Sequence, residues 1–457
     1  MRHIVSIWLA VSSLWFGALI AGGETRPHYG GTLHVTMRAA PLSLDPADTA
    51  VPDSFARRSL ASLLFDTMVS VDDAGRAKPA LAESWQASPG NRRWVFRMRR
   101  GVKFHDGAPL TAEIAAASLR FANPSWNVSA EGDTVVIERD AADPGLLGEL
   151  ALASNSILKR DSDNKANGTG PFHVVDWQPA KKLTVAANED CWRGRPFLDG
   201  VEIEMGRGFR DQMTALELGK ADLVEVAPEQ AHRLSQEGRQ LASSAPIELV
   251  ALAFAREVSS PDEKALREAL GGSIDRASIR SVLLQGAGQL TAAVLPTWMS
   301  GYGFVFPTDP ALSKARQLRS QVRTAPTWTI GYDGSDPVAR LVVERIALNA
   351  RDAGLTLQPI SSSTADLILV RIPLASPDAW ITLENFAHQT SLPAPRSNDR
   401  STEDLYTAER AVLSAERVIP LFHLPATYAF SASVRNGAVR IDGGWDLADA
   451  SLESIKP

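Results

Sequence analysis

Residues 94–113 read Trp-Val-Phe-Arg-Met-Arg-Arg-Gly-Val-Lys-Phe-His-Asp-Gly-Ala-Pro-Leu-Thr-Ala-Glu. Trp94, Phe96 and Met98 fall on one side of an extended chain, and Arg93, Arg97 and Arg99 fall on the other. That period of two predicts a strand with one buried face and one solvated, basic face. Asp106-Gly107 closes the segment as a turn, and Thr111 is placed to cap a helix running to Phe121. A strand, a turn and a capped helix within thirty residues predict a mixed α/β unit.

Further strands are expected at Thr32–Met37, Thr134–Glu138, Leu183–Ala187, Val201–Met205, Ile247–Phe254, Thr327–Tyr332 and Asp366–Arg371. Helices are expected at Asp211–Gly219, Pro261–Gly271, Arg276–Leu284, Pro310–Val322 and Pro337–Ala353, besides Thr111–Phe121. Ser260 and Glu263 form a capping box with Pro261 at the first helical position. The polar stretches Lys159–Asn167 and Leu392–Asp404 read as linkers.

The chain has 457 residues, 44% hydrophobic and 22% charged, which suits a globular protein of two or three domains. Its net charge of −6 supplies no basic footprint for nucleic acid. One cysteine, Cys191, excludes an internal disulfide and any zinc site needing two thiolates. Walker, GxGxxG, GxSxG and HExxH motifs are absent, and no catalytic constellation can be assembled. Of the eight histidines, His34, His105, His173, His232, His388 and His423 are scattered along the chain with no paired spacing, so no metal is expected. At the amino end, Arg2 precedes the uncharged run Ile4–Ala21, and Ala21-Gly22-Gly23 offers small residues for cleavage before Glu24. Residues 1–23 therefore read as a signal peptide, and the mature chain as a secreted monomer.

Eight stretches, in order, resemble the extracellular family 5 solute-binding proteins, the periplasmic peptide- and nickel-binding components of ABC importers. Tyr29–Leu33 is followed by Ser43-Leu44-Asp45-Pro46, then Leu64–Val69 and Pro79–Trp85. Residues 94–113 continue the pattern, and Gly168–Phe172, Asn188–Pro196 and Ala265–Arg276 complete it. The resemblance implies an α/β, periplasmic-binding-protein-like fold of class C type: two hinged lobes with mixed sheets plus a small extra domain. It assigns 24–56, 157–252 and 418–457 to lobe I, 57–156 to the small domain and 253–417 to lobe II. Chain crossings near Leu252 and Ile419 would form the hinge.

The same resemblance implies a receptor that captures an oligopeptide or similar small polar solute between the lobes and delivers it to ABC importer permease subunits, with no enzymatic activity and no cofactor. A periplasmic sensory or chaperone-like module using the same cleft is the alternative. Peptide-binding members carry an acid before proline that anchors the peptide amine, whereas Ser376 stands there in Ser376-Pro377-Asp378-Ala379-Trp380. Asp378, two residues on, or Asp45, from the opposite lobe, would have to supply the charge. Without one, the ligand need not present a free amine. Arg371, ending an apolar strand, is the expected anchor for a ligand acid group. Trp380 and Trp298, both read as loop residues, are expected to line the cleft.

Overall fold

The structure, a computed structural model, describes residues 28–72, 74–161, 165–395, 397 and 400–453. The expected signal peptide, 1–23, lies outside the described residues. A single large mixed sheet runs through both lobes. In one half, Thr32–Thr36 lies parallel to Gly200–Glu204 on one side and to Leu223–Glu225 on the other. In the other half, Thr327–Gly331 lies parallel to Thr356–Ile360 and to Leu367–Pro373. Two long antiparallel strands, Gln240–Phe254 and Val418–Phe430, join the halves.

Each half has its own core. Leu33, Val35, Phe172, Leu183, Ile203 and Tyr428 pack together in lobe I. In lobe II, Leu266, Ile330, Val343, Leu367 and Phe422 pack beneath the helices Pro261–Ser273, Leu312–Gln321 and Pro337–Asp352. The opposite face of the lobe II sheet is covered by Ala379–Gln389 and Thr402–Ser414. The long strands change core between Ser243 and Glu248 and between Leu424 and Thr427, not at the Leu252 and Ile419 crossings expected from sequence. The reason is local. Pro246 stands opposite Pro425, the register shifts on both sides of Pro246, and neither proline has an N–H for the ladder.

The small domain is an antiparallel sheet in the order Ala82–Ala87, Arg93–Met98, Thr134–Glu138, Asn127–Glu131, with Ala112–Ala122 packed on it. Trp94 and Phe96 stack at 6.2 Å between ring centroids in its core, as the alternation predicts. Thr111 caps the helix, its hydroxyl accepting from the Ile114 amide. Ser260 likewise accepts from the Glu263 amide, while the Glu263 carboxylate reaches Ser259, one residue earlier than a capping box requires. The helix Phe55–Leu64, expected in the small domain, instead buries Leu60, Leu63 and Leu64 in the lobe I core. A Cβ on Gly168 would meet the Leu64 carbonyl oxygen at 2.0 Å, so only glycine lets this strip lie against that helix end. Lys159–Asn167, read as a linker, carries the two-residue strands Lys159–Arg160 and Ala166–Asn167.

Candidate functional site

Parallel strands present their carboxyl ends to a crevice where ligands bind in open α/β sheets. Here both half-sheets do so toward each other. Arg38 follows the strand Thr32–Thr36, and Pro228 and Glu229 open a helix just past Leu223–Glu225. From lobe II come Asp333 and Asp336, beyond Thr327–Gly331, and Arg371 on Leu367–Pro373. These residues line a cavity of about 260 Å³ between the lobes. Its remaining wall is apolar, built largely from Val250, Leu284, Val342, Leu369, Phe422 and Leu424.

The charged groups are ordered by specific bonds. Arg371 donates from both Nε (3.0 Å) and Nη2 (2.5 Å) to Glu248 Oε2, and its Nη1 lies 3.5 Å from Asp336. Burial alone would lower the Arg371 pKa, but the facing carboxylates outweigh it and raise the pKa above its ordinary value. Asp336 caps the helix Pro337–Asp352 by accepting from the Val338 and Ala339 amides. Asp333 accepts from the Ser335 hydroxyl and amide, which hold its carboxyl below the usual range. Arg38 reaches across the lobes to Asp333 at 3.9 Å, and its amide donates to Glu225. Glu229 has no ion pair among the described residues. Burial raises its pKa; its own backbone amide and Arg371 oppose the rise, and Asp336 adds to it.

A second interlobe cavity, about 180 Å³, is lined from lobe I by Pro46, Asp53, Arg57 and Arg58, and from lobe II by Ala375, Ser376, Asn385 and Gln389. Its charges are already matched. Arg57 donates to the Val51, Asp45, Pro46 and Asp48 carbonyls, and Arg58 is paired with Asp53 and the Asp442 carbonyl. A larger cavity of about 430 Å³ lies among the helix Phe55–Leu64, the small domain and the segment 438–448, away from lobe II.

The family of bacterial extracellular solute-binding proteins, family 5 Middle, matches residues 76–390. The chain belongs to this family. The nickel-binding protein NikA of Staphylococcus aureus is 25% identical over 60% of this chain and 58% of its own length, so the chain spans less than two thirds of that relative. Heme-binding protein A of Haemophilus influenzae is 24% identical over 75% of this chain and 72% of its own. Among solved structures, S. aureus NikA in complex with Ni(L-His)2 superposes with a TM-score of 0.78 at 16% identity, covering 92% of this chain and all of that one. DppA of Helicobacter pylori in complex with the peptide STSA gives 0.77 at 19% identity, covering 93% and 99%. These likenesses show a family 5 fold of two lobes and an extra domain. Among the described residues, no three His, Cys, Asp or Glu side chains form a metal-holding group, and no helix is long and apolar enough to cross a membrane.

Within this solute-binding fold, the residues singled out from sequence do not form one cluster. Arg371 lies in the wall of the first cavity, already held by Glu248 and Asp336. Ser376 lies in the second, its hydroxyl accepting from the Asp378 amide. Asp378 caps Ala379–Gln389, and Asp45 pairs with Arg160 at 2.6 Å. The expectation that Trp380 lines the cleft is corrected: it is 6% exposed, packs in lobe II and donates Nε1–H to the Arg400 carbonyl. It stands in the first turn of a helix, not in a loop, so its ring follows the helix's buried face. Trp298, in the short helix Thr297–Ser300, donates Nε1–H to the Pro246 carbonyl at the strand crossing. Sequence reasoning missed Glu229, Arg38, Asp333 and Asp336. Their readable cues were Pro228 at a helix start, a charged residue just past the opening strand, and an Asp before Pro337. Cys191 is buried, and burial raises its thiol pKa, as befits an inert side chain.

Proposed function

We propose that this chain is an exported receptor that captures a small solute, an oligopeptide or a molecule of similar size, between its lobes and delivers it to the permease subunits of an ABC importer. The supporting observation is the first cavity. It lies where the carboxyl ends of parallel strands from both half-sheets converge, and the lobes around it are joined by two long strands that weaken at Pro246 and Pro425. Rotation about that crossing would bury a solute by a hinge motion. In this reading the signal peptide 1–23 is removed, the mature protein acts in the periplasm as a monomer, and it performs no chemistry. The relatives' names support the solute class: one is an oligopeptide-binding protein of Bacillus subtilis, another a probable D,D-dipeptide-binding protein of Escherichia coli. The domain division that goes with this reading starts the small domain after Phe65 and moves the lobe crossing to Ser243–Glu248. The test is mass spectrometry of small molecules released by mild denaturation of purified protein. A defined solute that rebinds the refolded chain supports the proposal, and its failure to rebind overturns it.

A further inference from the structure

We propose that the first interlobe cavity selects a positively charged group, an alkylammonium or guanidinium, carried on a short aliphatic body. This inference rests on the reading of the cleft as the capture site and names the chemistry of what it captures.

Charge balance carries the argument. Among the described residues, five carboxylates, Glu225, Glu229, Glu248, Asp333 and Asp336, stand in the wall and directly against it, facing two guanidiniums, Arg38 and Arg371. Arg371 is committed to Glu248 and Asp336, and Arg38 faces Asp333. An incoming carboxylate would have to displace those acids and then sit beside Glu229. An incoming cation displaces nothing and gives Glu229 the ion-pair partner it lacks among the described residues, with Asp336 close enough to raise the Glu229 pKa. A charge taken out of water demands such an opposite group.

The shape restricts the rest of the ligand. Val250, Leu369, Phe422 and Leu424 make the floor aliphatic and aromatic, with no further donors to satisfy a polar body. At about 260 Å³ the cavity falls at or below the small end of ligand pockets, room for one side chain or a small amine. Such a group can arrive as a free amine or as the basic side chain of a short peptide.

The experiment is titration calorimetry on the mature chain with agmatine, Ala-Arg-Ala, its citrulline twin Ala-Cit-Ala, and pentanoate. Agmatine or Ala-Arg-Ala is expected to bind, the former marking a free amine as the source and the latter a peptide. Replacing arginine by the isosteric neutral citrulline is expected to weaken binding about tenfold or more, as is Glu229→Gln at unchanged melting temperature. Pentanoate is expected to bind at least tenfold more weakly than the better cation. A citrulline twin that binds as well as Ala-Arg-Ala, or tighter binding of pentanoate, overturns the inference, and both readings use the wild-type chain. If the solute released from the purified protein is neutral or anionic and rebinds, the inference falls while the receptor reading stands. If solutes of every charge fail to bind, both fall.

Discussion

The two interlobe cavities differ in how they treat charge. Around Ser376, each arginine is already satisfied: Arg57 by four backbone carbonyls that shape the loop from Asp45 to Val51, Arg58 by Asp53 and the Asp442 carbonyl. Around Arg371, acids outnumber bases, and Glu229 is left without an ion pair among the described residues. Saturated arginines on short local segments hold a wall in shape. A surplus carboxylate in a wall assembled from both lobes is poised to meet something that arrives. The comparison assigns structure to the second cavity and recognition to the first.

The largest effect that can separate them comes from Glu248→Ala. It strips Arg371 of its main partner, and breaking a mostly buried pair is expected to cost about 3 to 4 kcal/mol in denaturant unfolding. The paired change Glu248→Gln with Arg371→Met should recover most of that loss. If the single change costs less than the double, the first cavity is not organised by this pair.

Next is the strand that supplies Phe422 and Leu424 to the first cavity. His423, between them, points to the opposite face, where it hydrogen-bonds the Val294 carbonyl, and burial lowers its pKa to about 4. The unfolded chain protonates this imidazole near its ordinary pKa of about 6.5. A folded pKa below the unfolded one gives stability that is complete above pH 6.5 and is lost as pH falls toward 4, about 3 kcal/mol in all. Unfolding free energies across that range should fall in the wild type and flatten in His423→Gln. An unchanged slope in the variant would place the acid sensitivity elsewhere.

Smaller is the contrast between two tryptophans. Trp380→Phe should cost about 1 to 2 kcal/mol, since its buried ring and its bond to the Arg400 carbonyl are both affected, yet leave any solute-induced fluorescence change intact. Trp298→Phe, at the Pro246 crossing, should cost less and remove part of that change. The reverse pattern would return Trp380 to the cleft. Smallest is Asp45→Asn. Its ion pair with Arg160 is partly exposed, so stability should fall by less than about 1 kcal/mol and solute affinity should not move.

What could be read in the chain follows from how local each feature is. The strand of Trp94, Phe96 and Met98 and the helix after Thr111 were legible because alternation and capping act over a few residues. The demand at Gly168 and Gly170, close approach to the Leu64 backbone, comes from a helix a hundred residues earlier and was not legible locally. Trp380 was misread because Pro377 interrupts the strand pattern there. The i, i+3, i+7 spacing of Trp380, Leu383 and Ala387 was the available sign of a helix with a buried face. Arg371 could be assigned to a strand end, but not its partner Glu248, 123 residues away. For Glu229 the sequence offered only Pro228 at a helix start; its role depends on Asp336 and Arg371, which only the folded sheet brings near.

Closure of the lobes on a solute held in the first cavity is open to one direct test. Small-angle X-ray scattering of the refolded, solute-free chain, before and after adding back the solute released from it, tests this directly. The radius of gyration should fall on binding, and Glu229→Gln should show the same fall only at higher solute concentration. Saturating binding with an unchanged radius of gyration would contradict closure.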